Sequence, residues 1–222
     1  ERIASIGIPV VDIGVKVTDK EFLKIREFFN VEPNALVFAT PKQIDQFLAA
    51  QEEFAKRARY TIGGSLSTVR VLAELGLGDT RFEGYVGHDK EGDLVLKALE
   101  SSGISLEGIK RVDLPTSRTL VFILPDGRRS FIHEIGANAL LGKENFEALA
   151  AYYAGQESPI LHIGYEALSS DAYFKNLGDN LQELKKKVPD LRVVLDTVHD
   201  FTKMWNRMPE SGNKILAEVD IL

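Results

Sequence analysis

The 222-residue chain contains no cysteine, so it forms no disulfide and offers no thiolate to a metal. Histidine is scarce. His88, His133, His162 and His199 show no metal-binding spacing, and core or surface roles are expected for them. No apolar run is long enough to span a bilayer. The opening Glu1-Arg2-Ile3 has neither a signal-peptide pattern nor an initiator Met, so a cytoplasmic protein with a trimmed start is expected. Positive charge is in deficit: 27 Lys and Arg stand against 33 Asp and Glu, and a net charge of −6 argues against a general nucleic-acid surface.

Familiar signatures are missing too. No G-x-G-x-x-G follows the first strand pattern, which weakens a dinucleotide-binding reading and with it a nicotinamide-dependent oxidoreductase. No G-x-S-x-G elbow exists, so an α/β-hydrolase has little support. The stretch from Gly136 to Glu144 looks like a P-loop but fails as one. It has five residues between its glycines, and Glu144 stands where Ser or Thr would hold magnesium. There are no internal repeats and no low-complexity linker.

What is present is an ordinary globular composition. With 44% hydrophobic and 27% charged residues, the chain can build one large α/β domain or two small ones. Ile3 to Val17 reads as a buried strand, and Gly7 and Pro9 interrupt it, so it should bend or change sheets there. Lys20–Phe29 reads as a helix and Leu36–Ala39 as a strand. A helix then runs from Pro41 to about Arg59, with Thr40 as N-cap. Thr80–Gly87 is a strand, and His88 to Gly92 a polar loop. Asp93–Ser102 is a helix with Leu94, Val95, Ala98 and Leu99 inward, stopped by Gly103. Residues 119–124 and 129–134 flank Pro125-Asp126-Gly127-Arg128, which is turn chemistry for an antiparallel hairpin. Lys143–Tyr153, Pro159–Gly164, Asp171–Lys187 and Leu191–Asp196 continue the alternation, and Val219–Leu222 begins a further strand. This order favours a parallel sheet with helices on both faces. Ligands of such sheets sit beyond the carboxyl ends of the strands, where Gly164 and Asp196 fall.

Gly63-Gly64 stands directly before a helical pattern. Ser65 is the expected N-cap, Leu66, Val69, Leu72 and Leu75 the buried stripe, and Gly76 the stop. The glycine pair has two readings: a tight helix entry, or a place where an oxygen-rich ligand approaches backbone donors. Asp12 is either a turn residue or a carboxylate that accepts from ligand hydroxyls, which suits a polyol better than a phosphate. Asp89 reads as a helix-entry acid, and Asp196 as a supporting residue rather than a catalytic one. Glu166 either reaches the mouth of the sheet or is a loop surface charge.

The order of these features resembles the PfkB (ribokinase-like) family of carbohydrate and nucleoside kinases. Residues 6–13, ending Asp12-Ile13, are similar to its opening strand. Gly63-Gly64-Ser65 through Gly76 is similar to its N-terminal signature, which Phe82 to Gly92 and Ser102-Gly103-Ile104 continue. Thr116, the Asp126-Gly127-Arg128-Arg129 hairpin, Gly136-Ala137-Asn138, and Leu195-Asp196 with Trp205 follow in family order. The spacer between Asp12 and Gly63 is most similar to the adenosine-kinase-like branch. The resemblance implies a ribokinase-like, doubly wound, mostly parallel sheet with a small β lid. Residues 1–222 would be the N-terminal portion of one such domain, C-terminally incomplete, with lid segments at about 9–18 and 116–135. It implies transfer of a phosphoryl group from ATP, with Mg2+, to a primary hydroxyl of a small sugar or nucleoside. Asp12, Gly63 and Gly64 would hold the acceptor, with Ser65, Thr68, Gly136, Asn138 and Glu166 around them. A homodimer through the lid is a further implication.

Three positions depart from the family pattern. Ile8 stands where an Asn is usual, and the Asn that follows the glycine pair is missing. The C-terminal Asp-Thr-x-Gly-Ala-Gly-Asp run is not in these residues, so the catalytic Asp is expected beyond Leu222 and the 222 residues alone should be inactive. The alternative is a non-catalytic ribokinase-like protein used for binding or assembly.

Overall fold

The computed structural model describes residues 2–197 and 203–222. His199 lies outside them. The described residues form two five-stranded sheets. The strands are β1 Arg2–Ile6, β2 Val10–Lys16, β3 Leu36–Phe38, β4 Arg59–Gly63, β5 Asp79–Gly87, β6 Ile109–Val112, β7 Arg118–Ile123, β8 Arg129–Glu134, β9 Ile160–Ile163 and β10 Arg192–Leu195. The helices are α1 Asp19–Phe29, α2 Pro41–Ala50, α3 Glu52–Arg57, α4 Ser65–Glu74, α5 Lys90–Ser101, α6 Lys143–Tyr153, α7 Asp171–Lys187, α8 Met204–Arg207 and α9 Pro209–Glu218.

The first sheet, in the order β10-β9-β1-β5-β6, is parallel throughout. Its central strands bury most of their residues, as strands covered on both faces do, while the edge strand β6 keeps Lys110 and Arg111 exposed. Ile6, Leu161, Ile163 and Val193 meet Leu149, Phe174, Leu177 and Leu181 of α6 and α7 in one core. Phe82 and Val86 share the other core with Leu66, Val69, Val95 and Leu99 of α4 and α5.

The second sheet, β3-β8-β7-β2-β4, is mixed. One of its faces carries Val11, Ile13, Val15, Leu120, Phe122 and Ile132 into the core, against Phe22, Phe47 and Phe54 of α1, α2 and α3. The chain passes from the first sheet to the second at Gly7 to Pro9, where the sequence interrupts its β-branched run. The hairpin turn also forms as its residues require. Gly127 takes φ +87°, and Leu124 accepts from Gly127 N–H at 3.0 Å.

Several expectations need correction. The helix from Pro41 ends at Ala50, α3 ends at Arg57, and residues 59–63 are strand. The alternation Arg59-Tyr60-Thr61-Ile62 finds a partner in β2, and ladder pairing outweighs the helix formers that precede it. The fifth helix starts at Lys90 rather than Asp93, because Asp89 caps it by accepting from Gly92 N–H at 2.8 Å. Leu94 faces outward, 39% exposed. Leu75 is also exposed, since α4 has ended by then in a Schellman motif. There Leu77 N–H reaches Leu72 C=O at 3.0 Å, with Gly76 at φ +68°. At the chain's end Ile221 makes only a bridge to Val194.

Candidate functional site

The site lies where the carboxyl ends of β1 and β9 meet the joint between β4 and α4. Ser65 is not the N-cap of α4. Gly64 is, at φ 66° and ψ −160°, a backbone conformation open to glycine. Ser65 becomes the first helical residue and turns its hydroxyl to Glu166. Glu166 Oε1 accepts from Ser65 N–H at 2.6 Å and also from the Ser65 hydroxyl. A buried carboxylate therefore fills the anion position at the start of α4. Three glycines make room for it. A side chain on Gly64 would meet Glu166 Oε1 at 2.8 Å, one on Gly164 at 2.7 Å and one on Gly7 at 2.9 Å. Burial pushes the Glu166 carboxyl above its usual range, against the lowering effect of the Ser65 bonds. Its Oε2 has no partner.

Asp12 stands beside this pair, on β2. A side chain on Gly63 would collide with its carboxylate, so the glycine opens the space that the carboxylate uses. Burial raises its pKa to about 6, opposed by a hydrogen bond from the Thr119 side chain. Tyr165 completes the rim. Its pKa is pushed up to about 12 by burial and then by the nearby charges of Glu166, Asp12 and Asp196. The charges of Glu166, Asp12 and Asp196 thus all act on this one phenol, and such carboxylates can accept from hydroxyl donors.

The remaining expected residues fall around this centre in different ways. Thr68 lies exposed one turn along α4. Gly136 takes φ +53°, and a side chain there would strike Pro115 C=O. Asn138 is buried. Its Oδ1 accepts from Tyr85 N–H at 3.0 Å, and its Nδ2 has no partner. Asp89 is a structural acid, as its position at a helix entry suggested. Its carboxylate also accepts from Thr116 N–H at 2.8 Å and from the Thr116 hydroxyl at 2.6 Å. Of the histidines, His162 is tied to Ser5 at 2.9 Å and His88 is exposed. Tyr165, Thr119 and His133 are the residues that sequence reasoning missed. Thr119 and His133 were within reach of it, because the Asp126-Gly127 turn sets the register that places them opposite each other.

A parallel α/β sheet whose carboxyl ends are met by a second sheet bearing a half-buried carboxylate defines the ribokinase-like class. Adenosine kinase from Anopheles gambiae, in complex with P1,P4-di(adenosine-5) tetraphosphate, is similar with a TM-score of 0.77 and 18% identity. That likeness covers 98% of this chain and 65% of that one. A probable sugar kinase from Rhizobium etli gives 0.71 and 18%, covering 98% and 62%. Adenosine kinase from Schistosoma mansoni in complex with adenosine gives 0.75 and 15%, covering 98% and 60%. This chain thus spans less than two thirds of their length. The chain belongs to the pfkB family of carbohydrate kinases, whose profile matches residues 39–207. No curated protein is matched by the sequence.

Proposed function

We propose that this chain supplies the acceptor site and lid of an ATP-dependent kinase acting on a primary hydroxyl of a small sugar or nucleoside. The observation that carries the reading is Asp12 beside Gly63, at the meeting of the two sheets. A carboxylate held by one threonine keeps lone pairs for two vicinal hydroxyls, and a glycine next to it lets a sugar ring lie against the backbone. In this reading β2, β7 and β8 form the lid, and Glu166, by fixing Ser65, holds the start of α4 in place. ATP and Mg2+ belong to the family's reaction. Among the described residues no group of three or more His, Asp or Glu is placed to hold a metal ion by itself, and Glu166 fills the start of α4. This chain's part is to bind and orient the acceptor.

Calorimetric titration with adenosine and with ribose tests the reading. Asp12→Ala should weaken binding at least tenfold, about 1.4 kcal/mol, the scale of a lost charge-assisted hydrogen bond. Unchanged affinity would make Asp12 a strand residue with no part in holding the acceptor. A second reading, a non-catalytic binding or assembly protein, is favoured by Ile8, whose side chain is 1% exposed and serves the core. The residues encoded after Leu222 separate the two: a Gly-Ala-Gly-Asp run supports the kinase. A cytoplasmic location accompanies either reading.

A further inference from the structure

Asp12, Thr119 and His133 stand side by side on three adjacent strands, Asp12 opposite Thr119 and Thr119 opposite His133. All three lie on the sheet face turned away from the helical core, because Val11, Leu120 and Ile132 occupy the other face. Thr119 Oγ1 and His133 Nδ1 are 2.9 Å apart. Thr119 lies directly across the β2–β7 pair from Asp12, and its side chain is the group that holds the Asp12 pKa down against burial. His133 is 5% exposed, and its Nε2 has no partner.

We propose that Thr119 and His133 are positioning residues for Asp12, joined to it in a hydrogen-bond relay whose direction of donation fixes which nitrogen of His133 carries the proton. A hydroxyl has one proton to give. When Asp12 is ionised, Thr119 donates to it and must accept from His133 Nδ1–H, which leaves Nε2 as a bare acceptor. When Asp12 is protonated it donates to Thr119, Thr119 donates to Nδ1, and the His133 proton sits on Nε2. The ring stays neutral in both states. Burial holds its pKa down to about 4, and no neighbouring charge acts on it. From outside the sheet Tyr165 is set against Asp12, with the carboxyl groups of Glu166 and Asp196 near the same phenol. Lys16, Arg59 and Arg129 share the face at its exposed margins. Arg118 and Glu134 pair with each other at 2.7 Å on the opposite face. In the proposed function the relay orients the Asp12 carboxylate toward the acceptor. Its existence does not depend on any ligand.

The test uses the full chain, isotope-labelled and ligand-free. Long-range correlation spectra of the His133 ring nitrogens are followed with the Asp12 carboxyl carbon between about pH 5 and 8. The His133 proton should move from Nε2 to Nδ1 as pH rises, with the same midpoint as Asp12, near the expected value of about 6. Thr119→Val should abolish the step at His133 and raise the Asp12 midpoint, and Thr119→Ser should restore both. Ring nitrogens that stay flat through the Asp12 titration overturn the relay, as does a step that survives in Thr119→Val or a ring that becomes doubly protonated at that midpoint. If Thr119→Val does not fold, the unaltered chain and Thr119→Ser still decide. Loss of acceptor binding with the His133 step intact would overturn the functional reading and leave the relay standing.

Discussion

Asp12 is a residue whose burial works against stability. Its pKa rises from 3.8 to about 6 on folding. A raised carboxyl pKa means that the folded state holds its proton longer than the unfolded chain. The contribution is therefore complete below about pH 4 and is lost as pH climbs through about 6. Above that, ionised Asp12 costs about 3 kcal/mol, at about 1.4 kcal/mol for each pKa unit. Asp12→Asn removes the charge and keeps the shape. We expect it to raise unfolding stability at pH 7.5 by roughly 1–3 kcal/mol while acceptor binding falls, and to change nothing near pH 3.5. Urea unfolding of both proteins across that range is the measurement. A difference that is flat with pH would mean Asp12 titrates alike in the folded and unfolded chain. His133 works in the opposite direction. Burial depresses its pKa to about 4, so its contribution is present above about pH 6.5 and is lost as pH falls through about 4. It is common to both proteins and cancels in the difference.

The β4–α4 joint shows what an element needs to begin. Gly64 holds a left-handed backbone, and its missing side chain admits Glu166 from 102 positions further along the chain. Gly64→Ala meets both obstacles: φ of +66° and contacts at 2.8 Å to Glu166 Oε1 and 3.1 Å to Ile8 C=O. It should destabilise by roughly 2–4 kcal/mol, whereas Gly76→Ala, with open space and only positive φ, should cost about 1 kcal/mol. Thermal melts of the two variants compare them directly, and equal losses would show that the Glu166 contact is relaxed. Much of this element was legible. The glycine pair, the stripe from Leu66 to Val69 and the stop at Gly76 are local signals. So are the sheet change at Gly7 to Pro9, the Asp89 cap and the hairpin turn. Hidden were features decided by distant partners. Ser65 looks like an N-cap until Glu166 takes its hydroxyl. Arg59 looks like the end of a long helix until β2 offers it and the residues after it a ladder. Tyr165 has no local mark at all; only the sheet's closure brings it to Asp12.

At the scale of the molecule, the second sheet has one face in the core and one facing out. The outward face carries Leu36, Phe38, Val121, Ile123 and Phe131, none of them fully buried, with Phe38 42% exposed. They form a continuous apolar row beside Asp12, since β3, β8 and β7 bring them into register. Scattered exposed residues such as Leu23 on α1 carry no such weight, but adjacent ones on a single face mark an interaction surface. The strands β3 and β4 also end the sheet with unpaired backbone, which a second sheet can cover. We therefore predict a homodimer through this face, with about 800 Å² buried per partner, the size that gives a stable pair. Sedimentation velocity at micromolar concentration should report a dimer for the unaltered chain. Phe38→Glu should give a folded monomer, and Leu23→Glu should leave the dimer intact. A chain that sediments as a monomer at the highest soluble concentration, or a Phe38→Glu dimer, would mean the face serves the acceptor alone. The distinction has a chemical consequence. If a partner covers Phe38, it also closes the end of the row that holds His133, whose ring lies 5.6 Å from that of Phe38, and acceptor affinity should then rise with protein concentration.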